Sequence, residues 1–199
     1  MIWTRAEGTR VWDENGRELI DLTAGFGVAA LGHRDPRIAR AWADQPVVHA
    51  LGDLAEAEVT QRLRAALPWP AKLGVTGEDA VEIALRTALL ATGRPGIVAF
   101  DGAYHGTGLL ALAATGFERF RDPFAPWLPG PVHRFGYGED TGPLPADAAC
   151  VIVEPVQGRA GARVPPDGFL ERLRERCAEA GALLIVDAIF VGRDRKSVV

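Results

Sequence analysis

Cys150-Val151-Ile152-Val153-Glu154-Pro155 and Leu183-Leu184-Ile185-Val186-Asp187 are two apolar runs, each carrying one carboxylate at its end, with an amphipathic stretch between them. Unbroken apolar runs without alternation read as strands buried on both faces, the pattern of a parallel sheet covered by helices. In open sheets of that kind ligands sit outside the carboxyl ends of the strands, where Glu154 and Asp187 would project. A carboxylate there is costly unless it meets a cation or hydrogen-bond donors, so each one implies a partner.

Working outward, strands and helices alternate. Lys72-Leu73-Gly74-Val75 reads as a short extended segment and Thr76-Gly77-Glu78-Asp79 as a turn, after which Ala80, Ile83, Ala84, Ala88 and Leu89 recur at helical spacing. Gly93 to Gly96 break the chain before Ile97-Val98-Ala99-Phe100, a second buried strand, and Asp101 to Gly106 follow at its carboxyl end. Residues 116–147 are rich in Pro and Gly, with a short strand at Val132 to Phe135. Pro165-Pro166-Asp167 opens a helix with Phe169, Leu170, Leu173 and Cys177 inward, and Gly181 stops it. The order predicts an α/β domain with a largely parallel sheet. Upstream, Asn15-Gly16 between Arg10-Val11-Trp12 and Glu18-Leu19-Ile20 predicts a hairpin with a type I′ turn. A glycine-rich stretch, Thr23 to His33, precedes a helix from Pro36 that turns Ile38 and Trp42 inward. A further helix is capped by Asp53 with Glu56, carries Leu54, Ala57, Leu63 and Leu67 on its apolar face, and ends at Pro68.

Composition bounds the function. The chain has 199 residues, 48% apolar and 24% charged, and a net charge of −4, which suits a soluble globular protein and gives no reason to expect nucleic acid or an anionic membrane. Asp, Arg and Gly interrupt every hydrophobic stretch, so none approaches a membrane span, and Met1 to Arg5 lack the layout of a signal peptide. Cys150 and Cys177 read as small core residues, which makes a reducing cytoplasm the default. His49 and His133 show no partner spacing, and no metal-ligand cluster is expected. Lys72 and Lys196 are the only lysines.

Four segments are expected to converge at one end of the sheet: Thr76 to Asp79, Tyr104-His105-Gly106, Glu154 to Gly158, and Asp187-Ala188-Ile189. A Gly-containing turn that opens a helix offers free backbone N–H groups and the positive end of the dipole to a phosphate. Tyr104 offers a face for stacking on an aromatic ring. Asp187 can hold a protonated ring nitrogen, and Gln157 can donate to a phenolic oxygen. Phosphate, aromatic ring, basic nitrogen and phenolate together describe pyridoxal phosphate.

The chain resembles the class-III aminotransferases of fold type I, from about Gly8 to Gly192. The resemblance rests on Gly8-Thr9-Arg10-Val11-Trp12-Asp13 with Asn15-Gly16-Arg17, on Leu31-Gly32-His33, and on Gly77 to Glu82. Ala103-Tyr104-His105-Gly106 and Glu154-Pro155-Val156-Gln157-Gly158 complete it. It implies a three-layer α-β-α large domain that binds pyridoxal 5′-phosphate, covered in part by residues 49–192. Residues 1–48 would be the N-terminal part (hairpin, loop and helix) of a small domain, and residues 193–199 an aberrant tail. Thr76, Gly77 and Glu78 would hold the phosphate, Tyr104 would stack on the ring with His105 beside it, and Gln157 would approach the ring oxygen. Ile189 would pack on the opposite face, Asp187 would pair with the ring nitrogen, Glu154 would orient neighbours, and Phe26 would line the substrate entrance. The implied reaction moves an amino group from an amine or amino acid to a 2-oxo acid in a homodimer. The Schiff-base lysine is expected beyond this sequence, so that the chain is read as a truncated, inactive piece. A cofactor-binding or dimerising fragment and an aminomutase on the same scaffold are the competing readings. Two departures stand out: Ala188 replaces the glutamate that usually follows the aspartate, and Arg159 stands where many members carry a substrate-gating glutamate.

Overall fold

The computed structural model describes residues 1–43, 57–67 and 69–192. These form two compact units, Met1–Ala71 and Lys72–Val199. In the first, β1 (Trp3–Glu7), β2 (Arg10–Asp13) and β3 (Glu18–Ile20) make an antiparallel sheet in that order. The expected hairpin joins β2 and β3, but its turn is not type I′. Of Asn15 and Gly16 only Gly16 has a positive φ, 77°. Its N–H closes a turn on the Asp13 carbonyl at 3.0 Å, and Asp13 Oδ1 accepts from the N–H groups of Asn15 and Arg17. The carboxylate therefore builds a longer loop with one left-handed glycine, the other common hairpin solution.

In the short helices of this unit, α1 (Pro36–Ala43) and α2 (Glu58–Ala65), two side chains expected to face inward do not. Ile38 and Leu63 are exposed, because among the described residues of the unit Val11 is the one buried apolar side chain. Among the described residues of the unit there is no core for them to enter. The expected cap at Asp53 and Glu56, with Leu54, and the side chain of Trp42 lie outside the described residues, as do Pro68 and residues 193–199.

The second unit is the α/β layer structure. β4 (Gly96–Phe100), β5 (Val132–Phe135), β6 (Ala148–Val153) and β7 (Leu183–Val186) form one sheet in the order β5-β4-β6-β7, with every pairing parallel. Period-2 alternation divides its side chains between two cores. Ile97, Ala99, Cys150 and Ile152 pack with Val81, Leu85 and Ala88 of α3 (Gly77–Thr92) and Ala111 and Ala114 of α4 (Leu109–Ala114). Val98, Phe100, Val151 and Val153 pack with Phe169, Leu173 and Cys177 of α5 (Phe169–Ala180) on the other face. Both cysteines are free thiols, and burial pushes Cys150 up to about 12 and Cys177 to about 11.

Several expectations give way here. Lys72 to Val75 form no strand: Asp79 turns its carboxylate back onto the N–H groups of Val75 and Thr76, each at 3.1 Å, taking donors that a ladder would use. The inward face of α3 is Val81, Leu85 and Ala88, while Ala80 is exposed; the capping box at Thr76 and Asp79 fixes where the helix starts and so which side faces the sheet. The helix expected from Pro165 begins at Phe169, after the left-handed Gly168. Finally, β7 is not buried on both faces. It is an edge strand among the described residues, with Leu183 42% exposed.

Arg94 ties the lower ends of two layers, donating to the carbonyls of Ala148 (3.2 Å) and Ala180 (2.7 Å). Arg94→Ala leaves two partly buried carbonyls without their charged donor. It is expected to cost about 1–3 kcal/mol, read as a lower denaturant midpoint at unchanged slope.

Candidate functional site

The carboxyl ends of β4, β6 and β7 gather a buried polar cluster. Asp187 follows β7 directly, and its N–H joins the ladder through the Val153 carbonyl at 2.8 Å. Its Oδ2 lies 2.8 Å from His105 Nδ1, with the His105 and Asp187 side chains 0% and 5% exposed. The carboxylate accepts, so Nδ1–H donates and the imidazole orientation is fixed. His105 Nε2 is then the one buried side-chain polar atom without a partner among the described residues. A native interior seldom leaves such an atom orphaned, and the orphan marks where a polar group belongs.

The loop carrying His105 is held from several sides. Its N–H donates to Thr115 Oγ1 at 3.1 Å, and Thr115 in turn donates to the carbonyls of Gly106 and Ala111. The N–H of Tyr104 donates to Glu154 Oε2 at 3.0 Å. Burial raises the Glu154 carboxyl above its ordinary value, opposed by that N–H bond. Tyr137 donates to the Glu154 and Pro155 carbonyls, fixing the chain as it leaves β6, and burial pushes its hydroxyl up to about 12.

The third part is the start of α3. Thr76 and Asp79 cap each other reciprocally, which uses the Asp79 N–H; the Ala80 N–H reaches the Thr76 carbonyl. The N–H groups of Gly77 and Glu78 remain at the positive end of a 16-residue helix. A methyl group at Gly77 would come within 2.6 Å of Ile189 Cδ1, so the Ile189 side chain, two residues past Asp187, lies against this turn. That contact brings β7's end and α3's start together. The Glu78 carboxylate turns away to the next loop, accepting from Thr107 N–H (2.5 Å) and Oγ1 (2.9 Å), and the N–H bond above all holds its pKa below the ordinary value. One turn on, Glu82 Oε1 accepts from the N–H groups of Leu110 and Ala111, both at 2.9 Å, and so caps α4 from outside.

Thr76, Gly77, Glu78, Tyr104, His105, Glu154, Gln157, Asp187 and Ile189 thus all lie at one end of this sheet. Gln157 is fully buried, and one hydrogen of its amide is donated to the Asp101 carbonyl at 2.8 Å, which ties it to the β4 loop. One face of Tyr104 carries the Arg159 guanidinium, 4.1 Å from the ring centroid. Phe26 belongs to the other unit, on a left-handed turn with φ 62°. In that unit His33 pairs with Asp21 at 2.8 Å. His133, expected to lack a partner, lies 2.9 Å from Asp147. Thr115 and Glu82 were not foreseen. Their signal was a threonine ending the Ala-rich run 111–114, and a second glutamate one helical turn after Glu78. Among the described residues no His, Cys, Asp and Glu group could hold a metal, and no helix is long and apolar enough to cross a membrane.

The family described as aminotransferase class-III matches residues 1–196. An acetylornithine aminotransferase of Methanopyrus kandleri is 42% identical over 200 residues, covering 95% of this chain and 51% of the relative. A 5-aminovalerate aminotransferase of Pseudomonas aeruginosa is 34% identical over 224 residues, with 98% and 52% covered. The solved PLP-bound amine transaminase of an uncultivated Pseudomonas species superposes with a TM-score of 0.76 at 25% identity, over 96% of this chain and 52% of that one. The chain spans about half the length of the curated relatives it matches.

Two outcomes test this geometry. Glu82→Ala removes the external cap of α4 and is expected to cost about 1–2 kcal/mol in denaturant unfolding. Glu154→Gln keeps an acceptor for the Tyr104 N–H but removes a buried charge. Because the folded pKa is raised, wild-type stability is sacrificed as pH climbs from the ordinary value near 4.5 through the folded one. The variant is expected to lose that decline, read as a flatter Tm-against-pH curve from pH 4 to 8.

Proposed function

The chain belongs to the class-III aminotransferases, and on that premise we propose that its parallel-sheet unit binds pyridoxal 5′-phosphate for transfer of an amino group from an amine or amino acid to a 2-oxo acid. The fold is the three-layer α-β-α arrangement of type I pyridoxal-phosphate transferases. The observation that carries the reading is the buried Asp187–His105 pair beside the start of α3. The donor set fits the cofactor: two helix N-terminal N–H groups for a phosphate, a buried carboxylate for a ring nitrogen, and an orphaned imidazole nitrogen that has yet to meet a polar group.

When bound, the cofactor supplies an electron-accepting ring that stabilises negative charge on the carbon bearing the amino group. The remaining work falls to the chain. Gly77 and Glu78 donate backbone N–H groups to the phosphate, and Thr76 with Asp79 keeps that turn formed. Asp187 holds a proton on the ring nitrogen, and His105 keeps the carboxylate aimed by occupying Oδ2. Tyr104 presents its ring, set by the Glu154 bond to its N–H, while Gln157 pins the β4 loop and Ile189 closes over Gly77. Turning the Glu78 carboxylate onto Thr107 keeps its charge directed away from the helix N-terminus it begins. No lysine here is assigned the proton-shuttling role: Lys72 is exposed ahead of α3, and we place that lysine outside this sequence, in the length that the relatives have and this chain does not. Phe26 is assigned to the substrate on the resemblance alone. The proposed setting is the cytoplasm, which two free, buried thiols favour, and the homodimer is proposed on the resemblance alone.

The test uses the protein expressed from its intact gene. The wild type is expected to show a pyridoxal-phosphate chromophore and to yield a stable adduct at one lysine on borohydride reduction. Asp187→Asn is expected to lower kcat by about 10²-fold or more, the scale of losing one preorganised electrostatic contact. Full turnover in that variant, or a wild type without chromophore, refutes the assignment.

A further inference from the structure

The start of α3 is crowded with negative charge. Glu78, Asp79 and Glu82 all fall within its first two turns, at the end whose dipole and N–H groups attract anions. Each carboxylate is engaged elsewhere. Asp79 accepts from the N–H groups of Val75 and Thr76, and Glu82 from those of Leu110 and Ala111, so both are spent on backbone caps. Glu78 is different. Its Oε2 accepts from the N–H and the hydroxyl of Thr107, at 2.5 and 2.9 Å, and the Gly108 N–H is also directed to the carboxylate. Thr107 is an exposed residue of the loop between β4 and α4. Gly106 lets the two segments come this close: its φ is 125°, and a methyl group there would lie 2.9 Å from Glu78 Cγ and Oε2.

Holding the loop does not require this arrangement. Glu82 already caps α4 from outside, and Thr107, being exposed, can give its donors to water. What the contact does fix is the place of a charge. The N–H groups of Gly77 and Glu78 stand at the positive end of the helix, and the field that draws a phosphate to them also draws a glutamate of the first turn. The Thr107 donors, its N–H above all, hold the Glu78 pKa below the ordinary value against the opposing charge of Asp79, so the group is ionised at neutral pH. An ionised carboxylate in this position raises the energy of any anion brought beside it.

Resting on the pyridoxal-phosphate reading, we propose that Glu78 sets how firmly the cofactor's phosphate is held: its carboxylate is a built-in rival for the N–H groups of Gly77 and Glu78, and Thr107 is the positioning residue that keeps the rival off them. Affinity for phosphorylated forms of the cofactor is thereby held below what the helix terminus alone would give. Loss of the Thr107 hydroxyl frees the carboxylate to compete. Loss of the charge removes both the competition and the repulsion.

The protein expressed from its intact gene is stripped of cofactor and titrated by calorimetry with two probes. Pyridoxamine 5′-phosphate cannot link to a lysine through an imine, and pyridoxamine lacks the phosphate. Glu78→Gln is expected to lower the Kd for pyridoxamine 5′-phosphate about tenfold, the scale of one like charge removed near a protein surface. The Kd for pyridoxamine is expected to stay unchanged. Thr107→Val is expected to raise the Kd for the phosphorylated probe about threefold, the scale of one neutral hydrogen bond. That rise is expected to vanish when Glu78→Gln is combined with it. Affinity for pyridoxamine 5′-phosphate in Glu78→Gln equal to or weaker than that of the wild type overturns the proposal. A Thr107→Val loss that persists in the double variant also overturns it, because the hydroxyl then serves the phosphate or the fold directly. Parallel changes for both probes overturn it as well, since the pair then acts through loop packing and not through the phosphate. A wild type that ignores pyridoxamine 5′-phosphate overturns the cofactor reading and this assignment together, whereas wild-type binding that Glu78→Gln leaves unaltered overturns this assignment alone.

Discussion

Asp187 stands at the end of an edge strand with its carboxylate almost out of water, and His105 is what makes that burial tolerable. An ionised group removed from solvent needs directed donors, and the imidazole supplies one at 2.8 Å. The contact spans 82 positions of sequence, so the β4–α4 loop can satisfy it only if the sheet has closed in its β4-β6-β7 order. Thr115, Glu154 and Glu78 each hold a different point of that loop, and none of them reaches it from the same element.

The helix α3 illustrates how one element serves fold and chemistry at once. Its buried stripe, Val81, Leu85 and Ala88, anchors it on the sheet. Its capped N-terminus leaves the N–H groups of Gly77 and Glu78 at the positive end of the helix, and its first two turns carry Glu78 and Glu82, which organise the facing loop. Because the same helix sets both the Thr76–Asp79 turn and the Tyr104–Thr107 loop, a shift in its register would move the two together.

Much of this was legible in the residues. The apolar runs at 97–100 and 150–153 are buried strands, and their lack of alternation reflects helices on both faces. Gly93 and Gly181 end their helices in left-handed conformations, where a side chain would be strained. The run at 183–186 looked equally buried but is an edge strand, because hydrophobicity reports what a strand can pack against and not which neighbours it has. Ile38 and Leu63 differ for a related reason: apolar periodicity specifies a face, and these two find no core among the described residues of their own unit.

The sequence by itself determined the layer architecture, the family, and the identity of the residues at the strand ends, since these follow from local periodicity, glycine placement and ordered short motifs. Only the tertiary structure decided what those residues do to one another. It bound His105 to Asp187, gave the Gln157 amide to the Asp101 carbonyl, turned the Glu78 carboxylate onto Thr107, and laid Arg159 on Tyr104. Hydrogen bonds and ring contacts depend on directions and distances of a few ångströms between segments far apart in the chain, and no local pattern encodes those.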